Sequence, residues 1–206
     1  SRGLGAMDSL QPLNFASADV FNLNETLAAC VDDGIERVAV EIAPQSLQQG
    51  RCQTLQVDLV VITGLEERAT RAYPERRLFT EYAPTFAVVN HDDTRARRWI
   101  SEFGASVEVL SFGLDPTAEL SARIVTMDQD GMALHLTGPW GEADVLTDLR
   151  GEEEARNLVA TAGSLVLLGM DWEEVCRQIE FVRPATHPDL PGRIRIAHDR
   201  SLERAA

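Results

Sequence analysis

Two short segments carry the residue types in this sequence that most readily do chemistry. In "RVAVEI" (37–42), Glu41 lies near the end of an apolar run. An unpaired charge inside a core is costly, so the Glu41 carboxylate must be paired, hydrated or bound to a metal. A salt bridge and a divalent cation would both satisfy it. "NHDD" (90–93) has the composition of a metal cluster, but a strand end followed by a capped helix uses the same residues and is the commoner arrangement.

Sequence signatures of other chemistries are missing. The chain has no G-x-x-x-x-G-K-[ST] phosphate loop, no G-x-G-x-x-G fingerprint and no G-x-S-x-G nucleophile elbow. Its four histidines lack the spacing of zinc ligands. Its three cysteines are far apart and odd in number, which predicts buried apolar residues in a reducing cytoplasm rather than a disulfide framework.

The charge balance restricts the expected partners. The 206 residues contain 33 Asp and Glu against 19 Lys and Arg, a formal net charge of −14 at pH 7. A nucleic-acid binder needs a basic stripe for the phosphates, and Arg95, Arg97 and Arg98 are better explained as a solvated helix face. No apolar run approaches the roughly 20 residues that span a bilayer, and no secretory signal opens the chain. We therefore expect no nucleic acid, no membrane and a cytoplasmic location.

The elements that would position these residues alternate between helix and strand. Residues 1–21 have no clear period and predict a loop, and 22–34 predict a helix capped by Asn22 and stopped by Gly34. The apolar face of this helix would consist of Leu23, Leu27, Ala28 and Val31. Strands are predicted at 37–42, 57–63, 85–90 and 106–113, with a short helix or turn at 45–50 and a helix at 94–104. This alternation indicates a parallel sheet covered on both faces.

The second half of the chain has a different pattern. Two alternating strands flank a hairpin signal at Asp128–Gly131, and a third antiparallel strand is expected at 142–149. Two helices follow, one over about 152–168 and one from a cap at Asp171 to about 181, and three prolines in 183–193 predict a linker. The expected fold class is therefore α/β, a mostly parallel sheet flanked by helices with a small antiparallel subsheet.

Several segments, in their order and spacing, resemble the central, ATP-using domain of the Mur ligases, and most closely its tripeptide-synthetase members. The resemblance runs from about Ala16 to Arg193. It rests on "ASADVFNLNETLAACVDDGIERVAVEIAPQSLQQGR", "VDLVVITGL", "RRLF", "FAVVNHDD", "SFGLDPTAEL", "LRGEEEARNLVATAGSLVLLGM" and "LPGR".

This resemblance implies a reaction, its ligands and a domain organisation. Mur ligases use ATP to form an acyl-phosphate on a substrate carboxylate, which the amine of an amino acid then attacks, while magnesium neutralises the phosphate charge. ATP and Mg are thus the implied cofactors, and a UDP-MurNAc-peptide and an amino acid are the implied partners. Residues 1–183 would form the central domain, incomplete at the N-terminus where the phosphate-loop unit is absent. Residues 184–206 would form a linker and tail toward a C-terminal domain.

Five residues stand where the resemblance implies functional groups. Glu41 matches the glutamate that helps to hold magnesium, and Asn157 matches an asparagine on the adenine side of ATP. Ser17 and Arg51 match groups on the substrate side. Glu75 takes the catalytic position of a carbamylated lysine and could present the same negative charge from a shorter stem. A surface glutamate on a solvated helix is the alternative for Glu75.

Departures from the family pattern leave two functions open. Ala43, Pro44 and Gln45 replace Ser-Ser-His, and Gly64 replaces an asparagine. One function is ATP-dependent addition of an amino acid to a UDP-MurNAc-peptide in peptidoglycan synthesis, by a ligase of which this chain alone is inactive. The other is a degenerate, non-catalytic domain that binds a nucleotide-sugar or a protein partner. Loss of the first strand and phosphate-loop helix would expose a sheet edge, so we expect self-association through that edge.

Overall fold

The structure, a computed structural model, divides the chain into two units. It describes residues 2–4, 11–13, 20–35, 37–42, 44–50, 52–65 and 73–182. The first unit comprises Ser1–Leu55, Pro74–Arg77 and Pro188–Ala206, and the second comprises Gln56–Tyr73 and Leu78–His187. The linker predicted at 183–193 and the tail to 206 lie outside the described residues.

The first unit is built from short elements. Strand β1 (Arg2–Leu4) pairs antiparallel with β2 (Gln11–Leu13), so the prediction of a loop over all of 1–21 is wrong. Helices α1 (Val20–Asp32) and α2 (Pro44–Gln48) follow. The short helix predicted at 45–50 is thereby confirmed.

Helix α1 ends as predicted but begins earlier. It starts at Val20, so Asn22 lies inside the helix and the predicted cap is wrong. Gly34 ends it with a left-handed φ of 72°, and the Ile35 amide donates to the Cys30 carbonyl at 2.8 Å. Its buried side is also shifted, since Leu23 and Cys30 are buried while Val31 is 72% exposed.

The strand predicted at 37–42 does not form. None of these residues belongs to a strand, and Glu41 is exposed. An apolar run becomes a strand only when a neighbouring strand accepts its backbone hydrogen bonds. No other described residue pairs with this segment. The prediction that Glu41 ends a buried strand is therefore wrong.

The second unit contains one six-stranded sheet, in the order β3-β4-β5-β6-β7-β8. Its strands are β3 (Leu59–Ile62), β4 (Phe86–Asn90), β5 (Glu108–Gly113), β6 (Leu120–Met127), β7 (Met132–Gly138) and β8 (Gly141–Thr147). Strands β3 to β6 are parallel neighbours and β6 to β8 are antiparallel, as predicted. Only the first residues of β6 pair with β5, with Gly113 opposite Ser121. The antiparallel strands therefore continue beyond the carboxyl edge of the parallel ones.

Helices flank this sheet. They are α3 (Arg77–Thr80), α4 (Arg97–Phe103), α5 (Glu152–Leu167) and α6 (Trp172–Ile179). The two C-terminal helices are confirmed, and the Asp171 carboxylate caps α6 by accepting from the Glu174 amide at 3.1 Å. None of the helices in the described part of the chain is long and apolar enough to cross a membrane.

The core lies between the sheet and α5. Leu110, Leu120 and Leu158 are almost fully buried there. Gly163 permits the close approach, because a Cβ at this position would lie 2.6 Å from the Leu110 side chain. The opposite face of the parallel strands is covered by α4 and an aromatic cluster of Tyr73, Phe79, Trp99 and Phe103. This packing fixes the carboxyl ends of β3, β4 and β5 side by side.

Candidate functional site at the carboxyl edge of the sheet

Polar residues collect where the parallel strands end. Residues 63–65 follow β3, 90–93 end and follow β4, and 113–117 end and follow β5. In open α/β sheets, ligands bind outside the carboxyl ends of the strands. We call these three segments the carboxyl-edge cluster. All of it belongs to the second unit.

Asn90 joins the first two strand ends. Its side chain is buried, with 6% of the residue exposed. Its amide Nδ2 donates to the Thr63 carbonyl at 2.6 Å, and its Oδ1 accepts from the Asp92 amide at 2.9 Å. Both polar atoms of Asn90 are therefore satisfied within the protein.

Asp92 joins β4 to the loop after β5 and to helix α5. Its carboxylate accepts from the Leu114 amide at 2.9 Å and from the Asp115 amide at 3.0 Å. Nη1 of Arg156 lies 3.6 Å from Asp92 Oδ2. A Cβ at Gly113 would lie only 2.3 Å from Asp92 Oδ1, so the carboxylate occupies space that only a glycine leaves open.

Asp93 organises the turn that precedes α4. Its Oδ2 accepts from the Leu65 amide at 2.7 Å, and its Oδ1 accepts from the Arg95 and Ala96 amides at 2.8 and 3.3 Å. Burial alone would raise the pKa of Asp93, but these hydrogen bonds and one from the Arg95 side chain hold the pKa below its usual range. Asp93 thus caps the turn at 94–96, whereas α4 starts at Arg97, three residues after the predicted start, and its N-cap residue Ala96 has no side-chain capping hydrogen bond. The prediction that "NHDD" caps the helix itself is therefore wrong.

His91 belongs to a short polar chain on the same edge. Thr117 Oγ1 donates its one proton to Asp115 Oδ1 at 2.6 Å. His91 Nε2 lies 3.2 Å from Thr117 Oγ1 and 3.4 Å from Nη1 of Arg97. The Thr117 side chain first, and its amide second, lower the pKa of Asp115. His91 also borders a surface groove of about 350 Å³ between α4 and β5, whose other polar lining residues are Arg97, Ser101, Ser111 and Glu119.

Known proteins share the sequence pattern and the sheet topology of this chain. The Mur ligase middle domain family matches residues 4–165. The chain belongs to the Mur ligase family. The family resemblance and the fold class predicted from the sequence are thereby confirmed.

Other Mur ligases match in sequence. The chain is 28% identical over 191 residues to a UDP-N-acetylmuramoyl-L-alanyl-D-glutamate--2,6-diaminopimelate ligase of Vibrio vulnificus, a match over 88% of this chain and 39% of the relative. It is 28% identical over 202 residues to the enzyme of the same name from Alkalilimnicola ehrlichii, over 93% of this chain and 40% of the relative. The chain thus spans about two fifths of the length of these relatives.

Solved Mur ligases share the fold. A structure of a UDP-N-acetylmuramoyl-L-alanyl-D-glutamate--2,6-diaminopimelate ligase superposes with a TM-score of 0.80 at 22% identity, covering 90% of this chain and 40% of that one. At this identity the likeness establishes the fold.

The sequence-predicted site residues of this Mur ligase domain are placed differently. Ser17 and Arg51 lie outside the described residues. Glu41 is exposed and Glu75 is half-buried in a 3-10 turn (Pro74–Arg76), both in the first unit. Asn157 is half-buried near the start of α5 in the second unit. The roles of all five residues stay predictions.

The described residues can be compared with what a magnesium ion and a nucleotide each require. In the described ranges, no three His, Cys, Asp or Glu side chains are grouped so that they could hold a metal. Magnesium keeps several waters and takes one or two carboxylates together with substrate phosphates, so the described residues offer no ready-made metal cage and we derive no step through the metal. Asn157 lies in the second unit, next in the chain to Arg156, whose guanidinium reaches Asp92 at the carboxyl edge.

Sequence reasoning missed two features of the carboxyl-edge cluster. It gave Asp92 only a capping role, whereas Asp92 contacts Arg156 of α5. It also did not connect His91 with Thr117. The only local signal was the density of polar residues after β4. Neither partner could be found from spacing, since both contacts depend on the tertiary fold.

Proposed function

We propose that this domain belongs to an ATP-dependent acid–amino acid ligase that adds an amino acid to a UDP-MurNAc-peptide in the cytoplasm during peptidoglycan synthesis. The observation that carries the proposal is the match of residues 4–165 to the Mur ligase middle domain. The relatives named above are ligases for 2,6-diaminopimelate on a UDP-N-acetylmuramoyl dipeptide. Because the chain spans about two fifths of them, we assign the activity to the full-length protein and expect the 206 residues alone to be inactive.

The family resemblance gives each of the five residues a proposed role. We assign ATP to the neighbourhood of Asn157 and the carboxyl edge, magnesium to Glu41, and the catalytic negative charge of a carbamylated lysine to Glu75. We assign the nucleotide-sugar peptide to Ser17 and Arg51. In this scheme ATP supplies the phosphoryl group that activates the substrate carboxylate.

A degenerate, non-catalytic domain is the second candidate. Three exposed glutamates, Glu152, Glu153 and Glu154, form the first turn of α5 immediately before the proposed nucleotide position. Their negative charge suits a helix N-terminus but opposes a phosphate chain nearby. Such a domain would bind a nucleotide-sugar or a protein without turnover.

A ligation assay separates the two candidates. The full-length protein is mixed with Mg-ATP, a UDP-MurNAc dipeptide and 2,6-diaminopimelate, and both phosphate release and the extended peptide are measured. The ligase proposal predicts phosphate release that requires both co-substrates and stops in Asn157→Ala. Binding of the nucleotide-sugar peptide without phosphate release would support the degenerate domain and contradict the ligase.

A further inference from the structure

Asp92 is the point where three parts of the second unit meet. Its backbone amide contacts Asn90 at the end of β4, and its carboxylate accepts from Leu114 and Asp115 after β5. The ion pair with Arg156 adds helix α5 to this junction. The Asp92 carboxylate therefore has a structural role, in which two amides and a guanidinium hold it between β4, the loop after β5 and α5.

The ion pair is partly shielded from water. The side chain of Asp92 is 21% exposed and that of Arg156 is 27% exposed. Arg156 has a second carboxylate neighbour, Glu152, at 3.4 Å, but that side chain is 70% exposed. Fully exposed pairs contribute little, so of the two contacts the one to Asp92 holds the arginine more firmly.

The position of Arg156 on α5 gives this contact a consequence for the proposed site. Asn157 is the next residue, about 100° further around the helix axis. Leu158, which follows Asn157, is buried in the core, so the contact between Arg156 and Asp92 adds a second, polar anchor on the other side of Asn157 at the first turns of α5.

We propose that Asp92 and Arg156 form a positioning pair that holds the first turns of α5 at the carboxyl edge and thereby orients Asn157 toward a nucleotide. The inference rests on the proposed function. Both residues act through Asn157, so both are positioning residues and neither is a catalytic one.

Arg156→Gln tests the pair, with Arg177→Gln as the matched control, since Arg177 is an exposed arginine on α6, and with Arg156→Lys as the conservative variant. Hydrogen exchange of residues 152–158 is measured without ligand, and Mg-ATP affinity is measured by calorimetry, both on the full-length protein. We expect Arg156→Gln to speed exchange in these turns several-fold and to weaken Mg-ATP binding about tenfold. Arg156→Lys should recover part of both effects, and Arg177→Gln should match the wild type.

A double-mutant cycle distinguishes positioning from direct contact of Arg156 with ATP. If Arg156 acts through Asp92, then Asp92→Asn weakens Mg-ATP binding too, and the double variant binds no more weakly than Arg156→Gln alone. If Arg156 contacts the phosphates directly, Asp92→Asn leaves binding intact or strengthens it, which overturns the inference. The melting temperature of Asp92→Asn shows whether that variant is folded. If Asp92→Asn is unfolded, the test rests on hydrogen exchange and Mg-ATP binding in Arg156→Gln and Arg156→Lys.

The two readouts separate this inference from the proposed function. Wild-type Mg-ATP binding that Arg156→Gln leaves unchanged overturns the inference and leaves the proposed function standing. A wild-type protein that binds no Mg-ATP contradicts both, even where exchange shows that the ion pair holds α5.

Discussion

At the scale of single residues, the carboxyl-edge cluster is a set of acidic side chains whose oxygens the protein itself satisfies. Asp93 accepts three backbone hydrogen bonds, and its side chain is 11% exposed. Asp92 accepts two more and pairs with an arginine. These carboxylates therefore hold strand ends and a turn in place.

The lowered pKa of Asp93 predicts a pH dependence of stability. Because the folded pKa lies below the unfolded value of 3.8, Asp93 stabilises the fold above that value and loses this contribution as pH falls through the folded pKa. Asp93→Asn should lower the free energy of unfolding at pH 7 by about 1.5–3 kcal/mol, the range for hydrogen bonds to a charged group. It should also flatten the loss of stability below about pH 5.

Urea unfolding of the 206-residue chain between pH 7 and pH 3 measures this effect. Asp130→Asn is the control, because Asp130 is exposed. A parallel loss of stability with pH in wild type and Asp93→Asn would show that Asp93 is not the group responsible.

At the scale of the elements, two glycines at strand ends show how closely the carboxyl edge is packed. A Cβ at Gly113 would lie 2.3 Å from Asp92 Oδ1, whereas a Cβ at Gly64 would lie 3.7 Å from Asp93 Oδ2. The second distance is ordinary contact. The first forces the Asp92 carboxylate away from its amide donors.

Gly113→Ala should therefore destabilise the second unit and Gly64→Ala should not. We expect a loss of about 1–3 kcal/mol for Gly113→Ala, the cost of leaving buried polar groups unsatisfied. Gly64→Ala should stay within about 0.5 kcal/mol of wild type. Thermal melts followed by circular dichroism give both values. Equal melting temperatures of the two variants would contradict the packing at Gly113.

Elements with strong local patterns were predictable from the sequence. The runs that became β3, β4 and β5 are apolar and short, and the hairpin of β6 and β7 has alternating residues around Asp128–Gly131. The strand predicted at 37–42 has the same kind of pattern and failed, because a strand also needs a partner that no local pattern supplies. The start of α1 was misplaced for a related reason, since Asn22 can cap a helix but also fits inside one.

The candidate site was less predictable than the elements. The polar segment 90–93 was visible, but its Asp93 carboxylate organises the turn before α4 and not the end of the helix itself. The pairing of Asp92 with Arg156 was not visible, because it arises only when α5 packs across the sheet. The family resemblance supplied Asn157, which no periodicity or spacing would have singled out.

At the scale of the whole molecule, β3 is the first strand of the sheet. Among the described residues, no strand pairs with its outer edge. Its Val61 side chain is 39% exposed. Unpaired edges of this kind favour pairing with another chain, and a charged side chain on the edge opposes it.

Self-association of the 206-residue chain should therefore depend on β3. Val61→Lys should lower the weight-average mass in sedimentation velocity at high protein concentration. Val31→Lys is the control, because Val31 is 72% exposed but lies on helix α1 and not on a strand. Equal self-association of both variants would show that the chains do not associate through β3. If the wild-type chain is a monomer at every concentration, the prediction of self-association is wrong.

Binding of Mg-ATP tests the central claim most directly, namely that this Mur ligase domain provides a nucleotide site beside α5. A ligand that binds only the native state raises its melting temperature in proportion to the logarithm of ligand concentration above Kd. The account predicts that Mg-ATP raises the melting temperature of the full-length protein, and that Asn157→Ala loses most of this rise while the exposed-residue control Gln178→Ala keeps it. A rise of equal size in wild type and Asn157→Ala, or no rise in either, would contradict the account.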